Sequence, residues 1–450
     1  MAASAIEIMM RSAFEAGAER ALAQTYRAGD VPLTTGFEVE YSVVKSGTCE
    51  LVEQSVRDLI VSREPELLTQ ELGAWQIELR TEPVDLATDG LRGLEAHLNS
   101  CEARAVKAAL SCGAELVRIG SFPLCRLNNI RRTQTNKYER VPEWHDTRHS
   151  AAMPSFVGRK QRTGRARADV ISLMNSTQAN LAMPNHAEGA KCLNISLSLS
   201  PIVLAVSGNA RFLDGVDTGY ADVRMRAWEF THDTRTPVER VAGVPLRVGL
   251  PDRYFRSIDD YLHFVNSFPM VLNNPSAAFE TGIGLNWLDA RLKFKSGILL
   301  LEFRPVSAQP CAAHDIAVFS FYLGLLQYYR SRDFDLPNID LVRNNRAAAM
   351  HRGLAANFWI RDDSGRINSV QAFTLVAESL DKAATGLIET GLDDGVEYLG
   401  VLHERLNARS VPADDFAKSV MQATTGECSV TQNAALERAV RSCVVKGFAP

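Results

Sequence analysis

TTGFEVEYSVV, residues 34–44, alternates Phe37, Val39 and Tyr41 with Glu38 and Glu40. Successive side chains of a strand point to opposite faces, so the apolar set lies on one side and both glutamates share the other. A second segment, WQIELRTE (75–82), repeats the pattern with Gln76, Glu78 and Arg80 opposed to Ile77 and Leu79. STQANLAMP (176–184) offers Gln178 and Asn180, and ILLLEFRP (298–305) offers Glu302 and Arg304. A solvated face is the ordinary reading of any one such strand. Four with charged or amide groups in phase point instead to a shared polar face.

Residues two apart on a strand are separated by roughly 6.6 Å, so carboxylates of neighbouring strands can surround a hard cation. Glu38, Glu40, Glu78 and Glu302 are therefore expected to form a magnesium cluster. Arg80, Arg304 and the arginines of YADVRMRAW (220–228) add guanidinium groups, which fork onto phosphate or carboxylate. Acidic and basic groups together suggest a nucleotide site. With no Walker loop and no dinucleotide fingerprint in the sequence, metals and side chains would hold the phosphates.

Around these strands the chain predicts an α and β mixture. A helix is expected from Ile6 to about Tyr26, within an N-terminal helical region of residues 3–28, and the Gly29 to Pro32 turn ends it. Leu91 to Ser111 is strongly helical, AELVRIG (114–120) reads as a strand, and a long helix runs from about His186 to Val206. Residues 126–168 contain the basic run GRKQRTGRAR and read as a mobile loop, with a lid over phosphates as the functional alternative. The fold class is α+β: a curved, mostly antiparallel sheet with a polar concave face, covered by helices. Residues 1–330 are expected to form the catalytic domain, and 331–450 a mainly helical region packed on it.

Composition excludes several functions. The 450 residues carry 49 basic and 53 acidic side chains, a net charge of −4, which lacks the positive field of a nucleic-acid binder. The longest apolar stretch, LSLSPIVLAV, is interrupted by Ser200 and Pro201, so no membrane span is expected. The eight cysteines are scattered singly, without zinc-ligand spacing, and fit a reduced cytoplasmic protein. Cys192 and Cys311 read as small buried residues. His145 and His149, four apart, are a minor metal-ligand alternative.

The sequence resembles the glutamate-cysteine ligase family, in its plant-type and actinobacterial branch, within the carboxylate-amine ligases of glutamine synthetase-like fold. GFEVEY is similar to the family's first-strand Gly-x-Glu-x-Glu motif, ELGAWQIELRT to its second-strand glutamate segment, KYERV to an Arg-Tyr element, and STQANL to a Thr-x-Gln-Val-Asn-Leu strand. Residues 199–236 resemble a signature in which Arg224, Trp228 and Arg235 fall in matching places. DARLKFKSGILLLEFRP resembles the last, Glu-Val-Arg followed by Glu-x-Arg.

That resemblance implies an ATP- and magnesium-dependent ligase, in which the γ-carboxylate of glutamate is phosphorylated and an amine, by default cysteine, displaces the phosphate. It assigns magnesium to Glu38, Glu40, Glu78 and Glu302, with Glu71 a weaker candidate, and places Gln178 and Asn180 beside the cofactors. Arg224, Trp228 and Arg235 would hold substrate, Arg304 would face the transferring phosphate, Arg291 and Lys293 the nucleotide, and Tyr138 the acceptor. Lys137 replaces the arginine of the Arg-Tyr element. Two further segments depart from the pattern, Ser207 to Ala210 and Gly282 to Leu288, and such changes are expected to bear on the amine. A binding protein without turnover and a phosphotransferase that stops at the phosphorylated product remain as alternatives.

Overall fold

The computed structural model describes residues 5–25, 33–135, 138, 143–145, 147–148, 154–155, 162–163, 168–271, 274–362, 364–425 and 430–446. Its central sheet has eight strands: β1 (Thr34–Lys45), β2 (Leu68–Gln70), β3 (Gln76–Arg80), β4 (Val84–Asp85), β5 (Ala114–Val117), β6 (Thr177–Met183), β7 (Ala290–Lys295) and β8 (Ile298–Phe303). The path across it is β7-β8-β6-β1-β3-β2, and every pairing is antiparallel. β1 is long enough to take two partners along each edge, β4 and β3 on one side and β6 and β5 on the other.

The alternation in β1 behaves as its sequence predicts. Phe37, Val39, Tyr41 and Val43 are buried against the helical layer, while Glu38 and Glu40 stay part-exposed on the other face. Phe37 meets Phe319 edge-on, with ring centroids 5.1 Å apart, and Phe303 of β8 stacks on Tyr322 at 3.9 Å. Both partners belong to one helix, Ala312–Arg330. Each of these rings removes some 150–250 Å² from water, which makes them principal anchors of sheet to helix.

A polar knot lies within that same apolar layer. Arg118 donates to Glu102 at 2.5 Å and pairs with Asp315, Tyr41 Oη donates to Glu102 at 2.9 Å, and Thr177 Oγ1 donates to Asp315 at 2.6 Å. These groups come from β1, β6, the end of β5 and two helices. Removing one partner would leave a buried charge uncompensated.

Among the helices that bear on the site, α1 (Ala5–Gln24) covers the expected N-terminal stretch, and α2 (Leu86–Leu110) starts five residues before its predicted position. Those first residues form a separate turn, because Gly90 at φ 64° breaks the helix. α3 (His186–Ser207) is capped by Asn185, which accepts from Glu188 N at 2.9 Å. It runs unbroken through Ser200 and Pro201, over the span expected from about His186 to Val206. Its length and mean hydropathy would suffice to cross a membrane, but 83% of the relevant window is buried inside this protein. α4 (Val223–His232), α5 (Ala278–Gly284) and α6 (Ala312–Arg330) follow.

One continuous apolar core extends from Met10 to Val440. The region after residue 330 adds five more helices among the described residues, and also a hairpin, Asn357–Arg361 with Ile367–Gln371, that helical patterning did not anticipate. Cys192 is buried as expected, whereas Cys311 is exposed at the cap preceding α6. Of the basic run, only Arg162 and Thr163, paired with Pro154 and Ser155, are described. The remainder of that run, Lys137, His149 and Cys428 lie outside the described residues.

Candidate active site

Strand register brings the predicted polar residues onto one face. Glu302 of β8 stands between Arg291 of β7 and Asn180 of β6. Gln178 of β6 lies opposite Glu38, which lies opposite Arg80, and Glu40 lies opposite Glu78. Directly opposed residues in an antiparallel pair project to the same side, so five strands contribute to one concave surface. A cavity on it is lined on its polar side by Glu38, Glu40, Glu71, Glu78, Gln178, Arg291 and Arg304. Arg80 is exposed and does not line this cavity.

The carboxylates do not behave as one set. Glu302 is fully buried and bonds three cations: Lys293 Nζ at 2.6 Å, Arg304 Nη1 at 2.7 Å, and Arg291 Nε. Burial pushes its carboxyl up, but the Arg291, Lys293 and Arg304 charges outweigh burial and hold it well below the ordinary value of 4.5. Glu78 is buried without such compensation. Burial first, then the charges of Glu38, Glu71 and Glu40, raise its carboxyl well above 4.5, opposed by Lys293. In this structure Glu302 pairs with arginine and lysine while Glu78 does not, and among the described residues no three acidic, His or Cys side chains converge as a ready ligand set.

The remaining acidic groups nevertheless suit a hard cation. Glu40 accepts from Ser176 N at 2.6 Å and Ser176 Oγ at 2.8 Å, leaving its second oxygen towards the cavity side. Burial raises its carboxyl, with Arg224 and Ser176 opposing. Glu38 accepts from Lys293 at 3.1 Å and from Asn180 Nδ2 at 3.2 Å. Asn180 Oδ1, beside it, is buried without a hydrogen-bond donor. Carboxylates in mutual repulsion next to an orphaned carbonyl oxygen form the oxygen-rich surroundings that magnesium uses.

Arg304 is fixed on two sides, by Glu302 and by Gln178 Oε1. Arg224 is not in the cavity wall. It is buried beneath the floor, where its guanidinium donates to Arg304 O at 3.2 Å and Pro305 O at 3.4 Å. Its charge also opposes the rise of the Glu40 carboxyl. Arg235 is not brought to the site either, because both arms of its guanidinium face Asp233 at 2.8 and 3.0 Å. Tyr138 does line the cavity, donating to Gln70 O at 3.0 Å, and burial raises its hydroxyl above the ordinary value.

Across from the carboxylates the lining is aromatic. Trp228 and His232, one turn apart on α4, pack at 4.5 Å between centroids, and Trp287 meets His232 at 4.7 Å and Trp228 at 5.4 Å. His145 completes the group, 4.6 Å from His232, as a ring-stacking residue. The i, i+4 spacing of Trp228 and His232 was the available sequence signal for the second of them. Trp287 had none beyond its place in the departing segment Gly282 to Leu288.

The chain matches known proteins over most of its length. The profile described as glutamate-cysteine ligase family 2 matches residues 34–435. "Putative glutamate--cysteine ligase 2-1" of Rubrobacter xylanophilus is 23% identical over 384 residues, covering 84% of this chain and 88% of the relative. The protein of the same name from Streptomyces avermitilis is 22% identical, over 88% of this chain and 98% of its own. The crystal structure of glutamate-cysteine ligase from Francisella tularensis in complex with AMP superposes with a TM-score of 0.58 at 12% identity, covering 93% and 94% of the two chains. A bifunctional glutathione synthetase from Pasteurella multocida gives 0.58 at 11% identity, over 96% of this chain and 54% of that one. At these identities the solved structures establish the fold, that of the glutamine synthetase-like ligases.

Proposed function

The chain belongs to glutamate-cysteine ligase family 2, a family of carboxylate-amine ligases, and on that premise we propose that it joins the γ-carboxylate of L-glutamate to an amine at the expense of ATP. The observation that carries this reading is the divided concave face. One half is an anchored cationic group suited to phosphate, and the other is an uncompensated acidic group suited to magnesium.

In this reading a γ-carboxylate oxygen attacks the terminal phosphorus of ATP and ADP leaves. The amine nitrogen then bonds to the γ-carbon as the carbon–oxygen bond to phosphate breaks, releasing phosphate and one proton. Magnesium, when bound, neutralises and orients the phosphate oxygens. Glu38, Glu40 and Glu78 would hold it, with Glu71 and Asn180 Oδ1 adjacent. Arg304, held in place by Glu302 and Gln178, is poised for the transferring phosphate, and Arg291 and Lys293 for the nucleotide. Trp228 faces glutamate or the acceptor, and Tyr138 the acceptor. AMP in the Francisella relative supports an adenine nucleotide here. The chemistry is assigned to residues 1–330, since the cavity lining ends at Arg304, with 331–450 as supporting structure. Free thiols among the described cysteines and the use of ATP support a cytoplasmic location.

The purified chain with ATP, magnesium and glutamate should release ADP only when an amine is added, and the product mass should equal glutamate plus amine minus water. L-cysteine, the acceptor in the family's name, is the reference amine. ADP release indifferent to glutamate, or absent with every amine, would overturn the reading.

A further inference from the structure

The aromatic side of the cavity carries information about the acceptor. Trp228 and Trp287 are half-buried, so part of each indole surface is open to the cavity that they line. His145 and His232, buried and also lining the cavity, pack on their rings, which fixes the indoles. Four aliphatic side chains, Leu72, Ile171, Met174 and Leu285, also line the same cavity. Trp287 and Leu285 both come from Gly282 to Leu288, the segment that departs from the family pattern.

We propose, resting on the ligase reading, that the acceptor is a primary amine bearing an uncharged, aryl-sized apolar group, which is seated against Trp228 and Trp287. Rings alone would serve a cationic group as well, through attraction to their faces. The four aliphatic residues have no such use and select an uncharged group. Cysteine's small thiol would leave most of this apolar lining in contact with water, and apolar surface left wet contributes nothing to transition-state binding. The amine nitrogen would point from the indoles towards Tyr138 and the acidic wall, where the reacting carboxylate lies.

The test compares 2-phenylethylamine with L-cysteine, using ATP, magnesium and glutamate at saturation. The expected result is at least about tenfold higher kcat/KM for the aryl amine, the scale on which apolar pockets discriminate. Trp287→Ala should lower that kcat/KM by about 10- to 200-fold and Trp287→Phe by much less, with KM for ATP and glutamate within about twofold of wild type. If Trp287→Ala does not fold, Leu285→Ala gives the same comparison with a smaller loss. A wild-type preference for cysteine, or equal losses for both amines in these variants, would overturn the proposal. If no amine is turned over, the ligase reading fails separately, and binding decides: 2-phenylethylamine should quench indole fluorescence of wild type saturably and of Trp287→Phe less. An absence of quenching would overturn it there too.

Discussion

Glu302 and Glu78 sit on the same concave face, both buried and both placed by strand alternation, yet their surroundings push them in opposite directions. At the β7–β8 end, Arg291, Lys293 and Arg304 converge on one carboxylate and keep it ionised. At the β1–β3 end, Glu38, Glu40 and Glu71 crowd Glu78 and favour its proton. The first arrangement is complete without a ligand. The second is costly without a cation, and in the proposed function it is the half that would take magnesium.

The widest break in this contrast should come from Glu78→Gln. Loss of a metal-ligand charge removes several kcal/mol of transition-state stabilisation, so ADP release should fall on the order of 10³-fold. The melting temperature without magnesium should not fall, because like-charge repulsion is relieved. A variant that melts lower and retains turnover would contradict the division. Glu302→Gln should do the reverse to stability, costing about 3–5 kcal/mol in urea unfolding, since three cations lose their shared buried partner. Unchanged unfolding would mean that the anchored half is not anchored.

The same contrast has a pH signature without magnesium. Glu78 is raised when folded, so its contribution is fully present below 4.5 and is lost as pH rises through its folded value. Glu302 is depressed, so its contribution is present above 4.5 and is lost as pH falls through its folded value. Glu78→Gln should therefore flatten the stability curve on the alkaline side, and Glu302→Gln on the acid side. Magnesium should flatten the alkaline side of wild type, with protons released on binding, and calorimetry in two buffers measures that release. The smallest effect belongs to neither half. Arg235→Ala breaks a part-exposed pair with Asp233 and should cost about 1 kcal/mol or less, with ADP release within about twofold of wild type.

Period-two alternation was enough to identify the sheet, its polar face and most of the residues upon it, because side-chain direction in a strand follows from position alone. The order of motifs from GFEVEY to ILLLEFRP carried the family in the same way. Tertiary structure decided which charges meet. Arg291 and Glu302 are eleven residues apart on a hairpin, and only register shows that they lie opposite each other with Asn180 on the far side of Glu302. Arg224, in the first turn of α4, went beneath the floor, and Arg235, past its last residue, went to Asp233, outcomes of packing and not of the motif around them. Trp287 reached the cavity from a two-residue strand, Trp287–Leu288, too short to show a period. Strand direction is local physics and is written in the sequence, whereas compensation of buried charge depends on distances between segments that only the packed chain sets.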